Sequence, residues 1–120
     1  MKEYNVVELL GDGIGPELTT AVHKLIDAMP FKVNWETIDF SVEGRNDQSV
    51  YDRAVKVIEN CGYAMKYPTA TVKESPNQVM RKRLDLSVIH RPVATIPGVR
   101  TNFSKKIDLD IVRVATGGTY

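Results

Sequence analysis

The sequence is short of several residue types that mark specialised chemistry. It has one cysteine, Cys61, and one tryptophan, Trp35, among 120 residues. A single cysteine forms no internal disulfide, so a disulfide-stapled scaffold is excluded and a reducing setting, the cytoplasm, is expected. The two histidines, His23 and His90, stand apart, without the spacing of a metal site. An excess of one charge is missing too, with a net charge of +1. So balanced a chain has no dominant field toward nucleic acid or anionic lipid, and neither partner is expected. Long apolar runs are also lacking. The opening "MKEYNVVELL" is interrupted by acids and too short for a secretory leader, and nothing approaches a membrane span. No internal repeat or low-complexity segment is found.

What is present fits an ordinary folded domain. Apolar residues make up 42% and charged residues 26% of the chain, which sets aside a disordered or fibrous class. The length suits one domain over residues 1–120, able to bury about two-thirds of its unfolded surface.

The apolar run "YNVVELL" (4–10) reads as a strand stopped by Gly11. Pro16 sits at a helix start, where its missing N–H does no harm. Leu18, Val22, Leu25, Ile26 and Met29 then form a helical stripe, which Pro30 ends. "KVNWETIDF" (32–40) alternates as a strand, with an irregularity expected between Trp35 and Ile38. "VEGRNDQ" reads as a polar loop. Tyr51, Ala54, Val55 and Ile58 mark a second amphipathic helix, closing near Asn60 and Gly62. "GYAMKYP" is a short strand running into a loop. Ser75 as N-cap and Pro76 after it open a third helix. "SVIHRPVATIPGV" reads as a strand that breaks at Pro92. "IDLDIVRVA" (107–115) is the last strand, and "TGGTY" a turn. The order is β-α-β-α-β-α-β-loop-β. It predicts an α/β fold with a largely parallel sheet flanked by helices.

The glycines at 11, 13 and 15 invite comparison with a dinucleotide loop. Their spacing is G-x-G-x-G, and Pro16 occupies the place of the third fingerprint glycine. Proline has no N–H to offer a pyrophosphate, and no G-K-[ST] follows. The spacing favours a tight strand-to-helix turn.

The complete string "GDGIGPE" is more specific than its glycines. It resembles the start of the β-decarboxylating isocitrate and isopropylmalate dehydrogenases. "MKYPTATV" is similar to that family's K-G-P-x-x-T-P loop. "SPNQVMRKRLDLSVIHRPVATIPGVRT" is similar to its S-x-N-x-x-x-R helix and following arginine strand, and "DIVRVATGGTY" to its R-E-N-T-E-G-x-Y segment. The resemblance covers nearly all of this chain but only the N-terminal third or so of a family enzyme. It implies a truncated dehydrogenase-like fold. It also implies substrate-binding roles for Ser75, Asn77, Arg81, Arg91 and Arg113. Lys66 and Thr71 would lie near the nicotinamide, and Tyr120 would be the proton donor. The residue types suit a tricarboxylate or malate-type ligand. Arginine binds carboxylates bidentately, and a helix N-terminus at Ser75 favours an anion.

The chain departs from the family where Tyr67 replaces the K-G-P glycine and Val72 the later proline. Val114, Ala115 and Gly117 replace the polar residues after the last arginine. The family's catalytic lysine, metal-binding aspartates and adenosine loop have no counterpart in these residues. The resemblance therefore implies a chain that binds no cofactor alone. NAD(P) and Mg²⁺ or Mn²⁺ would enter only if a partner completed the site. The expected role is non-catalytic, with partners being a second copy or a full-length dehydrogenase subunit. The alternative is one part of a split isocitrate-type dehydrogenase. Plainer roles are expected elsewhere: Arg81 and Arg83 as surface, Trp35 as core and Cys61 as a small buried residue. His90 is expected to be exposed, and Asp108 and Asp110 to face solvent.

Overall fold

A computed structural model describes residues 1–117. They form two compact units, Met1–Met80 and the residues from Arg81 onward.

The first unit is a three-stranded sheet with helices on both faces. Strand β1 (Lys2–Leu10) lies in the middle, between β2 (Phe31–Asp39) and β3 (Ala64–Lys66), all parallel. Helix α1 (Gly15–Asp27) connects β1 to β2, and α2 (Ser49–Cys61) connects β2 to β3. A short 3₁₀ turn, Gly44–Asn46, precedes α2. This is the predicted α/β arrangement, because each strand–helix–strand step returns the chain parallel to itself.

The sequence reading of an irregularity in β2 needs correction. β2 pairs with β1 residue for residue from Lys2↔Phe31 to Leu10↔Asp39. What changes along the strand is the buried face. Trp35 belongs to the face under α1, where its ring stacks on His23 at 5.0 Å. Ile38 and Phe40 belong to the opposite face, where Phe40 meets Tyr51 of α2 edge-on at 5.1 Å. A strand covered on both faces shows no single alternation. Val7, Leu9, Ile38, Phe40, Tyr51 and Ala54 make up the main core, on the α2 side. Trp35 is half-buried rather than core, and Cys61 is half-buried and free.

Helix ends follow local chemistry. Pro16 stands in the first turn of α1 with Glu17 behind it. Gly62, at φ 79°, closes α2 by donating its N–H to the Ile58 carbonyl, the left-handed stop that glycine adopts without strain.

Helix α3 (Pro76–Arg83) begins where Ser75 caps it, its carbonyl accepting the N–H groups of Gln78 and Val79. It ends at Asp85, which takes a positive φ of 52°. The Leu86 N–H then bonds back to the Arg81 carbonyl at 2.9 Å.

The second unit carries an antiparallel ribbon of β4 (Val88–Ala94) and β5 (Asp108–Val114), separate from the parallel sheet. The expected break at Pro92 does not occur: β4 runs through it, with Pro92 opposite Asp110. The flanking bonds explain why. Thr95 N–H reaches Ile107 O, and Ala115 N–H reaches Ser87 O. Odd-numbered β4 residues therefore carry the ladder bonds, and Pro92 falls at a position that needs no N–H.

Candidate functional site

In parallel α/β sheets, ligands collect beyond the carboxyl ends of the strands. Here three loops meet at that edge: residues 11–15 after β1, 40–46 after β2 and 67–71 after β3. Asp12 ties them together. Its Oδ1 accepts the Val42 N–H at 2.8 Å, and its Oδ2 accepts the Ala70 N–H at 2.8 Å. Arg45 Nη2 donates to the same Oδ2 at 3.2 Å. Arg45 is itself buried, and it also donates to the carbonyls of Phe40, Ser41 and Ala70. Burial pushes the Asp12 carboxyl up. The Val42 and Ala70 N–H groups and the Arg45 guanidinium outweigh that and hold it below the ordinary carboxylate value.

The glycine loop belongs to this clasp. A Cβ on Gly11 would stand 2.0 Å from the Pro68 carbonyl oxygen, so only glycine allows the two loops to touch. Gly13 has φ +61°. The Asp12 N–H donates to Pro68 O at 2.7 Å, and the Gly15 N–H to Asp12 O at 3.0 Å. The Asp12 amide is spent on the loop after β3 and the Gly15 amide on the turn, so neither is open to a phosphate.

A second polar cluster lies under α1. Glu8, in the middle of β1, is 2% exposed. Its carboxylate accepts hydrogen bonds from Tyr67 OH at 2.9 Å and Thr37 Oγ1 at 3.1 Å, and pairs with His23 Nε2 at 2.6 Å. Tyr67, the residue in place of the family's glycine, thus fills its position with a buried ring anchored on Glu8. Burial first, and then the neighbouring Glu8, push its phenol up to about 12.

The residues singled out by sequence fall into three groups. Lys66 turns its ammonium into its own loop, donating to Tyr67 O and Thr69 Oγ1, both at 2.9 Å. Thr71 is exposed just past the clasp. Ser75 precedes α3, and Asn77 and Arg81 lie four apart on it, on one helical face. On the ribbon, Arg91 stands opposite Ile111 and Arg113 opposite Ile89. The register puts both arginines on one face as diagonal neighbours, within reach of a single carboxylate-bearing ligand. Ser75 and Asn77 belong to the first unit, Arg91 and Arg113 to the second. Tyr120 lies outside the described residues. On the other ribbon face, His90 is exposed and pairs with Asp110 at 2.7 Å, and Asp108 is exposed beside them. Among the described residues, no three His, Cys, Asp or Glu side chains gather as a metal site. No described helix is long and apolar enough to cross a membrane.

Sequence reasoning missed Glu8, Asp12 and Arg45. Glu8 left a signal: in a sheet covered on both faces, a charge in mid-strand must be paired. Arg45, in a polar loop, left none.

Comparison with known proteins places these features. The family model described as isocitrate/isopropylmalate dehydrogenase matches residues 5–120. The chain is 34% identical to isocitrate dehydrogenase [NAD] subunit 2, mitochondrial, of Saccharomyces cerevisiae, over 98% of this chain and 33% of the relative. It is 29% identical to a 3-isopropylmalate dehydrogenase of Prochlorococcus marinus, over all of this chain and 40% of the relative. It is also 29% identical to a mitochondrial regulatory subunit of the NAD isocitrate dehydrogenase of Dictyostelium discoideum, over 99% of this chain and 33% of the relative. The chain spans about a third of the length of such relatives.

Proposed function

The chain belongs to the isocitrate/isopropylmalate dehydrogenase family, and from that premise we propose that it acts by binding rather than by catalysis on its own. The ligand is a tricarboxylate or malate-type carboxylate, held on the ribbon face by Arg91 and Arg113. The partner is a second copy or a full-length dehydrogenase subunit. The observation that carries the ligand reading is the diagonal placement of the two arginines on one exposed face. Two guanidinium forks at that spacing match a ligand with more than one carboxylate. Ser75, Asn77 and Arg81 complete the set that the resemblance implies.

The partner reading is supported by relatives whose names describe subunits, regulatory as well as catalytic. By length we keep the chain as one α/β domain, with its two compact units as parts. The cytoplasm suits its free thiol. The residues at the strand ends do not fit NAD(P) as they stand. The Asp12 amide is spent on Pro68 O and the Gly15 amide on the turn, and Lys66 is bound into its own loop.

A second reading has one observation in its favour, the one-third coverage of the relatives. In it the chain is one part of an isocitrate-type dehydrogenase, with NAD(P) and Mg²⁺ or Mn²⁺ held once another polypeptide completes the site. Tyr120 would then be the proton donor.

Two measurements test the first reading. Calorimetry with citrate and isocitrate should give weak binding, in roughly the millimolar range, as expected for two exposed charges. Arg91→Ala should abolish it, and binding unchanged by that substitution would show the arginine assignment to be wrong. The purified chain with NAD(P), Mg²⁺ and isocitrate or 3-isopropylmalate should show no turnover. Sustained turnover overturns the non-catalytic role.

A further inference from the structure

Helix α1 sits on the sheet in a different way from α2. On the α2 side, Val7, Leu9, Ile38, Phe40, Tyr51 and Ala54 form a buried apolar layer. On the other side, Gly15 is the one buried residue among the thirteen of α1. Ile14, Leu18 and Leu25 lie in solvent, and Val22, His23 and Ile26 are half-buried. The strand residues of that face, Val6, Leu10, Val33 and Trp35 among them, are half-buried as well. Glu8 is the exception, covered in the middle of the face. The helix is therefore seated on a carboxylate more than on an apolar layer.

Most of that seat is built without the helix. Thr37 Oγ1 donates to Glu8 Oε2 from β2, and Tyr67 OH to Glu8 Oε1 from the loop after β3. The Tyr67 N–H donates to Leu9 O at 3.1 Å, which fixes the phenol against β1. Trp35 shares the face, because its partner Val6 and the Glu8–Thr37 pair are two residues apart in the register. A fixed carboxylate oxygen beside a flat indole suits a planar nitrogen ring. The ring's N–H takes the oxygen while its face stacks on the indole. His23 does both. Its Nε2 lies 2.6 Å from Glu8 Oε1, and its ring lies 5.0 Å from that of Trp35 with 14° between the planes.

We propose that Glu8, Thr37, Tyr67 and Trp35 form a binding site for a planar nitrogen ring of the imidazole class, with His23 as its internal ligand, and that α1 opens as a unit when this ring leaves. The two ends of the helix suit that motion. Gly13 precedes it at φ +61°, with nothing within 4 Å of where a Cβ would stand. Residues 28–30 after it are exposed. Opening uncovers little apolar surface and lets water reach Glu8, so it costs less than unfolding the α2 core. The site lies in the first unit and involves neither ribbon arginine.

Hydrogen exchange on the 120-residue chain tests the proposal. In the parent, the α1 amides should exchange at least tenfold faster than those of α2. His23→Ala removes the internal ligand and raises intrinsic helix propensity, so a looser α1 reports lost docking and not a weaker helix. Its α1 amides should exchange at least a further tenfold faster, with α2 still the more protected. Imidazole at about 200 mM should then refill the site. With a Kd on the order of 20 mM it should slow α1 exchange about tenfold. Equal sodium chloride should not, and the parent in the same imidazole is the control. Equal protection of α1 and α2 in the parent overturns the separate opening. Unchanged α1 rates in His23→Ala overturn the internal ligand, and a loosened α1 that imidazole leaves loose overturns the site. A His23→Ala chain that does not fold also overturns the proposal, because the α2 core should stand with α1 open.

Discussion

Replacing Arg45 by alanine should loosen the first unit more than any surface substitution in the chain. Arg45 is 8% exposed and donates to four acceptors. These are Phe40 O at 2.9 Å, Ser41 O at 3.1 Å, Ala70 O at 2.8 Å and Asp12 Oδ2 at 3.2 Å. Alanine removes the donors and leaves the acceptors in place. Breaking one side of a buried ion pair costs about 3–5 kcal/mol. Asp12 keeps the N–H groups of Val42 and Ala70, and its side chain is 19% exposed, so the lower end applies. A loss of about 3 kcal/mol is expected, against a typical domain stability of about 5–15 kcal/mol. The variant should therefore fold but unfold at clearly lower urea. Arg45→Lys keeps the charge but not the planar fork, and should lose about 1–2 kcal/mol. Trp35 is the chain's one tryptophan and stacks on His23 in the same unit, so its fluorescence reports this unfolding. Hydrogen exchange supplies a local readout, since the Ala70 amide should exchange much faster once the clasp is weakened. A loss below about 1 kcal/mol, with Ala70 still protected, would refute the clasp as the element that holds the three loops.

Two other outcomes follow from the same contacts. Tyr67 is 3% exposed, and its phenol titrates near 12 when folded against about 10 when unfolded. A raised folded value means stability that is full below pH 10 and is lost as pH climbs toward 12. About 2–3 kcal/mol should disappear over that window and be absent from the pH profile of Tyr67→Phe, and matching profiles would contradict the Glu8–Tyr67 bond. Gly11→Ala must push Pro68 O away by more than an ångström and strain the Asp12 N–H bond to it, so at least 2–3 kcal/mol should be lost in thermal unfolding; an unchanged Tm would show that the loops do not meet there.

Much of the fold was legible in the sequence because local rules and packing agree along the first unit. The apolar run before Gly11, Pro16 at a helix start and Gly62 at a helix end each name their element through backbone chemistry alone. The order of elements then leaves a parallel sheet as the natural arrangement. "GDGIGPE" and the segments after it identified the family, and the match over residues 5–120 agrees. Pro92 misled because proline is a poor strand residue on average, whereas its effect depends on which way its nitrogen points in the ladder. The apparent irregularity after Trp35 misled because alternation was read as if only one face were covered.

What the sequence alone determined is therefore the element order, the turn type and the family. Each depends on residues close together in the chain, whose preferences do not wait on distant partners. Only the tertiary structure decided the roles of Glu8, Asp12, Arg45 and Tyr67. Their partners lie up to 59 residues away, at Tyr67 for Glu8 and at Ala70 for Asp12. It also decided that Arg91 and Arg113 share a ribbon face and that α1 keeps an uncovered apolar row. A charge in a strand or loop reads as solvent-facing until the fold brings a donor to it. A helical stripe shows that a residue is apolar, and packing alone shows which part of the stripe the sheet covers.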